Sequence, residues 1–216
     1  MNSIRINRRT LSRVIWREMG NAYMTADLFN QLRECNALRP KADYNTGSIS
    51  HTDAQELYNL VRYFQPKVIA EVGTFIGRST LSMAHGMKAG TIYTCDASND
   101  IPLLRPTGSA SAVTIHQFPR QTATEMFKRL AEQGVKVDLF YIDGRLTKDD
   151  LPYLNSLMHD RTLFVFDDFE GIEKGVANVA LLMSQLGAYY ALVYPKGRDG
   201  KTALMLPRTL LELTNQ

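Results

Sequence analysis

The chain has 216 residues, of which 44% are hydrophobic and 22% charged, and its formal net charge is +3. This length suits one domain with a short extension, and the ordinary composition excludes a disordered or collagen-like chain. Two cysteines provide neither a disulfide framework nor a zinc site. Basic residues cluster in the first helix but form no dense basic face with interleaved aromatics, so no nucleic-acid partner is expected. Without a signal-peptide-like or membrane-spanning stretch, a cytoplasmic protein is expected.

The first 65 residues are expected to be helical. Hydrophobic residues recur at helical spacing over residues 11–19 and again over 57–64. Thr52 and Gln55 resemble a capping box at the start of the second of these helices. We therefore predict an N-terminal helical extension, or lid, over residues 1–65, followed by the main domain over 66–216.

From residue 67 onward, short apolar runs alternate with segments of helix length. The runs predict strands at 68–72, 91–95, 112–116, 137–142, 162–166, 189–194 and 202–206, and the segments predict helices at 78–88, 122–133, 148–159 and 172–186. Strands separated by helices favour parallel pairing, because parallel neighbours need a crossover. The last two strands are joined by a short turn-rich loop, which indicates an antiparallel hairpin. The predicted fold class is α/β, with a mostly parallel sheet and helices on both faces.

A turn with two glycines follows the first predicted strand, in the order Glu71, Gly73, Gly77. Glycine lets a ligand approach the main chain closely, and the following helix offers free N–H groups and a positive dipole end. The spacing matches neither the dinucleotide fingerprint nor the phosphate-binding loop. Glu71 would repel a pyrophosphate but suits a ligand that carries an amino group. The alternative is a turn that serves only the fold.

Asp96 ends the second predicted strand, 23 positions beyond Gly73. An acid at about this distance, at the tip of the neighbouring strand, is placed to bind both hydroxyls of a ribose. The alternative is an ordinary aspartate that begins a loop. Together with the glycine turn, Asp96 predicts a nucleoside-binding site.

With these motifs in this order, the sequence resembles the class I S-adenosylmethionine-dependent methyltransferases. It is most similar to the small O-methyltransferases of the catechol O-methyltransferase type. The resemblance runs from about residue 48 to the C-terminus and rests on segments 70–79, 94–96, 138–144 and 163–169. It implies a Rossmann-like sheet of seven strands with a C-terminal antiparallel hairpin, and S-adenosyl-L-methionine as the cofactor.

The resemblance also implies a set of cofactor-binding residues. These are Glu71, Gly73, Thr74, Phe75, Gly77, Ser79, Asp96, Ala97, Gln121, Thr122 and Asp143. Glu71 and the Gly73 turn would hold the amino-acid end of the cofactor, and Asp96 would accept both ribose hydroxyls. Residues 120–122 would lie near the adenine, and residues 47–49 would close over the methionine part.

Three acids follow neighbouring predicted strands: Asp143, Asp167 and Asp168. Because the ends of parallel strands lie side by side, their carboxylates should converge and favour a hard cation such as Mg²⁺. Such a metal would hold substrate oxygens and lower the pKa of a hydroxyl. Metal-dependent members of the resembled family have acids at the first two positions and usually an asparagine at the third. The alternative is that Asp167 or Asp168 caps the helix near Ile172 and that Asp143 orders a turn.

The candidate catalytic groups are Asp143, Lys148 and His51. Enzymes of the catechol type carry a base, often lysine, a few residues after the fourth-strand acid, and Leu146 occupies that position here. Either Arg145, Lys148 or His51 assists, or the metal activates the substrate without a nearby base. His51 is equally consistent with an ordinary residue at a helix start.

The predicted function is methyl transfer from S-adenosylmethionine to a small hydroxylated molecule, with a substrate oxygen attacking the sulfonium methyl in line. Two alternatives remain open at this point. One is an aminopropyltransferase of the same fold, with Asp143 and Asp167 binding a polyamine. The other is a non-catalytic nucleoside-binding domain, which the absence of a base at Leu146 favours. Self-association as a homodimer also stays open.

Overall fold

The computed structural model describes residues 8–42, 47–169, 171–196 and 200–212. Three helices precede the sheet: α1 (Arg8–Glu18), α2 (Ala26–Asn36) and α3 (His51–Phe64). A capping box begins α3, in which the Asp53 N–H donates to the Ser50 hydroxyl and the Ser50 N–H donates to the Asp53 carboxylate. The predicted box of Thr52 and Gln55 is therefore wrong, because α3 begins at His51 and Ser50, two residues before Thr52, is its N-cap.

Seven strands form one sheet. They are β1 (Val68–Val72), β2 (Gly90–Asp96), β3 (Val113–Pro119), β4 (Leu139–Ile142), β5 (Leu163–Phe166), β6 (Tyr190–Val193) and β7 (Ala203–Pro207). The order across the sheet is β3-β2-β1-β4-β5-β7-β6. The first five strands in the chain pair in parallel, whereas β7 is antiparallel to both β5 and β6. The predicted α/β fold with a C-terminal antiparallel pair is confirmed. Residues 197–199 of its connecting loop lie outside the described residues.

Within the described residues, five further α-helices follow the first strand: α4 (Arg78–Gly86), α5 (Ala123–Glu132), α6 (Leu151–Leu157), α7 (Ala177–Leu186) and α8 (Arg208–Glu212). The segment predicted as one helix over 172–186 is divided, since residues Ile172–Val176 form a π-helical turn ahead of α7. None of the helices in the described ranges is long and apolar enough to cross a membrane.

Alternate residues of the central strands divide the core into two layers. Ile69, Leu139 and Val165 pack with the buried residues of α1–α4 on one face of the sheet. Ala70 and Phe140 pack with α5, α6 and α7 on the other face. Because α1–α3 share a core with the sheet, they cover one of its faces. The boundary at residue 65 and a lid function for these helices stay predictions.

The sheet changes direction of winding at β1, whose neighbours are β2 on one side and β4 on the other. Ligands of open α/β sheets bind beyond the carboxyl ends of the strands at such a point. Val72 pairs with both Cys95 and Ile142, and Ile142 pairs with Phe166. The residues that follow these four strand ends therefore share one edge of the sheet.

Candidate functional site

Two adjoining cavities lie at this edge of the sheet. The small cavity has a volume of about 370 Å³ and is formed mainly by the ends of β1 and β2 and the start of α5. The large cavity has a volume of about 680 Å³ and lies between the segment before α3, the end of β4, the loop after β5 and the π-helical turn. Gly73, Asp143 and Arg145 line both of them. The two cavities therefore meet at the ends of β1 and β4.

Asp96 is the central polar group of the small cavity. It is 5% exposed, and its carboxylate accepts the backbone N–H groups of Phe75 at 2.8 Å and Ser98 at 2.9 Å. These contacts fix the orientation of the carboxylate in the cavity wall. Ala97, Gln121 and Thr122 line the same cavity. Four of the predicted cofactor residues thus lie together.

Gly73 forms the junction between the two cavities. Its φ is +100°, and a Cβ there would lie 3.1 Å from the carbonyl carbon of Asp143. A larger residue would therefore be strained and would also press on the main chain of β4. The Gly73 and Thr74 N–H groups both donate to the Cys95 carbonyl oxygen, which fastens the turn to β2. Phe75, two residues on, lines the large cavity.

Glu71 lies beneath this turn. It is fully buried, and the hydroxyls of Ser79 and Thr80 each donate to its carboxylate at 2.5 Å. Burial raises the pKa of Glu71 to about 7, although these hydrogen bonds act in the opposite direction. Its position makes Glu71 a support that joins β1 to the first turn of α4.

Several predicted cofactor residues share this supporting position. The walls of both cavities, as the described residues form them, do not include Glu71, Thr74, Gly77 or Ser79. Thr74 is buried with its hydroxyl 2.5 Å from that of Thr94. Gly77 is the residue before α4, and a Cβ there would lie 2.6 Å from Leu103. Direct contact of these four residues with the cofactor stays a prediction.

Asp143, Asp167 and Asp168, hereafter the acidic cluster, converge as the strand order predicts. One carboxylate oxygen of each lies within 4.8 Å of the others, and all three residues line the large cavity. Asp167 is 6% exposed, and its Oδ1 atom is buried with no hydrogen-bond partner in the described ranges. Burial raises the pKa of both Asp143 and Asp167, and the neighbouring carboxylates reinforce the rise for each.

Lys174 supplies a positive charge to the acidic cluster. Its Nζ atom forms ion pairs with Asp143 and, at 2.5 Å, with Asp168. Lys174 is not among the predicted site residues, because the candidate bases Arg145, Lys148 and His51 lie near the end of β4 and the start of α3. Lys174 follows β5 instead and reaches the cluster from the π-helical turn. The sequence feature that indicates Lys174 is its position six residues after Asp168 and three residues after Gly171.

The acidic cluster contains only oxygen donors, which suit a hard divalent cation, and the buried Asp167 Oδ1 lacks a partner in the described structure. However, two of the three carboxylates already bind the Lys174 ammonium. The cluster as arranged therefore does not fit a resident Mg²⁺. The helix-capping alternative also fails, since Gly171 precedes the π-helical turn and no side chain caps it.

The remaining predicted catalytic groups lie elsewhere. His51 stacks on Phe29 with a centroid distance of 5.6 Å. Lys148 is exposed in a short 3-10 helix. Neither belongs to the described walls of the two cavities. Leu146, at the position expected for a base, is buried. Gly47, Ser48 and Ile49 line the large cavity, where the resemblance implies closure over the cofactor.

Asn178 of α7 holds the loop after β4. Its side-chain amide donates to the Gly144 carbonyl oxygen at 2.8 Å and its side-chain carbonyl accepts the Leu146 N–H at 2.9 Å. Asn178 is 2% exposed, so replacing it by alanine leaves two loop groups unpaired. We expect Asn178→Ala to lower the free energy of unfolding by about 2 kcal/mol.

Urea denaturation would measure this loss, with Asn178→Asp as the matched control. Aspartate keeps an acceptor for Leu146 but removes the donor to Gly144, so its loss of stability should differ from that of alanine at neutral pH. An alanine variant as stable as the parent protein would show that the loop does not depend on Asn178.

Part of the chain matches a known protein family, and its fold is shared by solved structures. Residues 70–169 match the family model described as a methyltransferase domain. No curated protein sequence matches the chain significantly. Many solved structures share its fold, at low sequence identity.

Three of these structures are described as O-methyltransferases. A putative O-methyltransferase from Klebsiella pneumoniae has a TM-score of 0.59 and 19% identity, covering 91% of this chain and 96% of that one. The O-methyltransferase from Bacillus cereus, in complex with S-adenosylhomocysteine (SAH), has a TM-score of 0.62 and 15% identity, covering 89% and 96%. The O-methyltransferase TomG from Streptomyces achromogenes, in complex with S-adenosylmethionine, has a TM-score of 0.59 and 19% identity, covering 91% and 96%.

These structures share the seven-stranded fold, and the family model covers the glycine turn, Asp96 and the acidic cluster. The motifs that carry the sequence resemblance thus lie in the matched region and at one edge of one sheet. Residues 70–169 therefore match a methyltransferase domain, on a fold that these O-methyltransferase structures share.

Proposed function

We propose that this enzyme O-methylates a small hydroxylated molecule. The observation that carries the proposal is that Asp143 lines both cavities. A donor in the small cavity and an acceptor in the large cavity would meet beside this carboxylate. The printed descriptions of the structural relatives as O-methyltransferases, two of them bound to S-adenosylmethionine or SAH, support the same reaction.

In this proposal the adenosine part of the cofactor occupies the small cavity. Asp96 accepts the ribose hydroxyls, and Gln121 and Thr122 lie near the adenine. The methionine part passes Gly73, where the lack of a side chain leaves the junction open. The sulfonium methyl then faces the large cavity, with residues 47–49 along its wall.

The acceptor hydroxyl attacks the methyl carbon in line from the large cavity. The new C–O bond forms as the C–S bond breaks, which leaves SAH, and the hydroxyl proton passes to the Asp143 carboxylate. The protein's main contribution is to hold the oxygen and the methyl carbon at reacting distance. Asp143 is suited to take the proton because burial raises its pKa above that of an ordinary aspartate.

The ion pairs of Lys174 argue against the aminopropyltransferase alternative. A polyamine acceptor would need acidic side chains that are available to its ammonium groups. Here two of the three carboxylates of the acidic cluster, Asp143 and Asp168, already form ion pairs with Lys174. A polyamine would have to displace this ammonium to bind them.

Methyl transfer across a panel of acceptors tests this function. Purified protein is incubated with S-adenosylmethionine and phenols, catechols, sugars or amines, and SAH release and product mass are measured. We expect SAH to form with hydroxylated acceptors. Transfer from decarboxylated S-adenosylmethionine to putrescine would instead identify an aminopropyltransferase. Tight cofactor binding without transfer to any acceptor would identify a non-catalytic domain.

A further inference from the structure

We infer that the ammonium of Lys174 is the resident cation of the acidic cluster and holds the acceptor oxygen in the position that a divalent metal ion would otherwise take. The second half of this inference rests on the proposed methyl transfer, whereas the assignment of the cation does not. Three carboxylates within 4.8 Å of one another repel strongly at a largely buried site unless a cation lies among them.

Lys174 meets that need directly. Its ammonium forms ion pairs with Asp143 and Asp168 at the same time, and its side chain is 25% exposed. A tethered ammonium needs no recruitment from solution, whereas Mg²⁺ would have to lose water and displace it.

The main chain fixes this lysine in place. Lys174 lies in the π-helical turn, where the Val176 N–H donates to the Gly171 carbonyl oxygen at 3.2 Å. At the next residue, a Cβ on Gly175 would lie 2.6 Å from the Asp168 carbonyl oxygen and 2.7 Å from that of Asp167. The turn therefore packs its backbone directly on the loop that carries two of the three acids. Isolated π-helical turns are frequent at functional sites.

The geometry also leaves a donor for the acceptor. An ammonium has three N–H groups, and the two recorded carboxylate contacts use two of them. Lys174 lines the large cavity, so its third N–H is available to an oxygen bound there. A hydrogen bond and a positive charge at this oxygen favour its ionised form, which is the role a metal ion would perform.

Binding of Mn²⁺, followed by electron paramagnetic resonance, tests the cation assignment without any methyl acceptor. The parent protein should bind Mn²⁺ at least about 10-fold more weakly than Lys174→Met, in which the acids lose their ammonium. Lys128→Met, on the exposed face of α5, removes an equal charge and should bind Mn²⁺ like the parent. Stoichiometric Mn²⁺ binding by the parent that disappears in Asp143→Asn would overturn the assignment, and this measurement does not require a folded Lys174 variant.

Methyl-transfer activity tests separately whether Lys174 holds the acceptor oxygen. With an acceptor identified, methyl transfer by the parent should be unchanged by EDTA, and Lys174→Met should lose about 100-fold in kcat/KM and recover part of it with added Mg²⁺. Loss of the parent's activity in EDTA would overturn this half. If no acceptor is methylated while Mn²⁺ still binds only to Lys174→Met, the proposed function fails and the cation assignment stands.

Discussion

Replacing Asp96 by alanine is expected to weaken binding of S-adenosylmethionine by about 100-fold, or about 2.7 kcal/mol. Two charge-assisted hydrogen bonds to the ribose hydroxyls would account for a loss of this size. The substitution also removes the acceptor for the Phe75 and Ser98 N–H groups, so part of the effect would come from a looser turn. Isothermal titration calorimetry measures the change in affinity.

A control variant at another acid and an analogue of the cofactor distinguish the loss of the ribose hydrogen bonds from the loosening of the turn. Glu132→Ala removes an exposed acid at the end of α5, outside the described cavity walls, and should leave the affinity unchanged. A 2′-deoxy analogue of the cofactor should lose less affinity than the natural cofactor on Asp96→Ala, because one of the two hydrogen bonds is already missing. Equal cofactor affinity in Asp96→Ala and the parent would remove the ribose assignment.

The sequence was sufficient to predict the sheet and the edge that carries the site. Strands β1, β4 and β5 are buried on both faces, so they appear as continuous apolar runs, which the intervening helices mark as parallel. Parallel strands have a common direction, and the polar residue that ends each run must therefore lie at one edge. The convergence of Asp143, Asp167 and Asp168 follows from this direction.

The sequence did not predict the partner of these acids. Lys174 lies 31 residues beyond Asp143, and the two meet only because β4 and β5 are neighbours and a π-helical turn follows β5. Hydrophobic periodicity cannot distinguish such a turn from the α-helix that it precedes. The residues around Leu146 therefore give no indication of Lys174.

The sequence pattern also could not predict whether the Glu71 side chain faces a ligand or the following helix. An acid at the end of a first strand can face a ligand or the following helix, and its neighbours in the sequence are the same in both cases. Glu71 accepts hydrogen bonds from Ser79 and Thr80, and these hydroxyls come from the first turn of α4. The choice depends on the position of that helix, which tertiary packing determines.

The burial of Glu71 predicts a particular dependence of stability on pH. Its pKa is about 7 in the folded protein, against 4.5 as the ordinary value. The folded state therefore holds this proton more tightly, and the stability it contributes is complete below about pH 4.5 and is lost as the pH rises to about 7. At 1.36 kcal/mol for each pKa unit, the loss amounts to about 3 kcal/mol.

Glu71→Gln should remove this contribution while keeping a side chain of the same shape that can bond to Ser79 and Thr80. We expect the free energy of unfolding of the parent, measured in urea, to fall more between about pH 5 and about pH 8 than that of the variant. Burial raises the pKa of Asp143 and Asp167 as well, so the variant should keep part of the slope. Parallel pH profiles for the two proteins would mean that Glu71 is solvated or ionised throughout the pH range. Its assignment as a buried supporting residue beneath the Gly73 turn would then be incorrect.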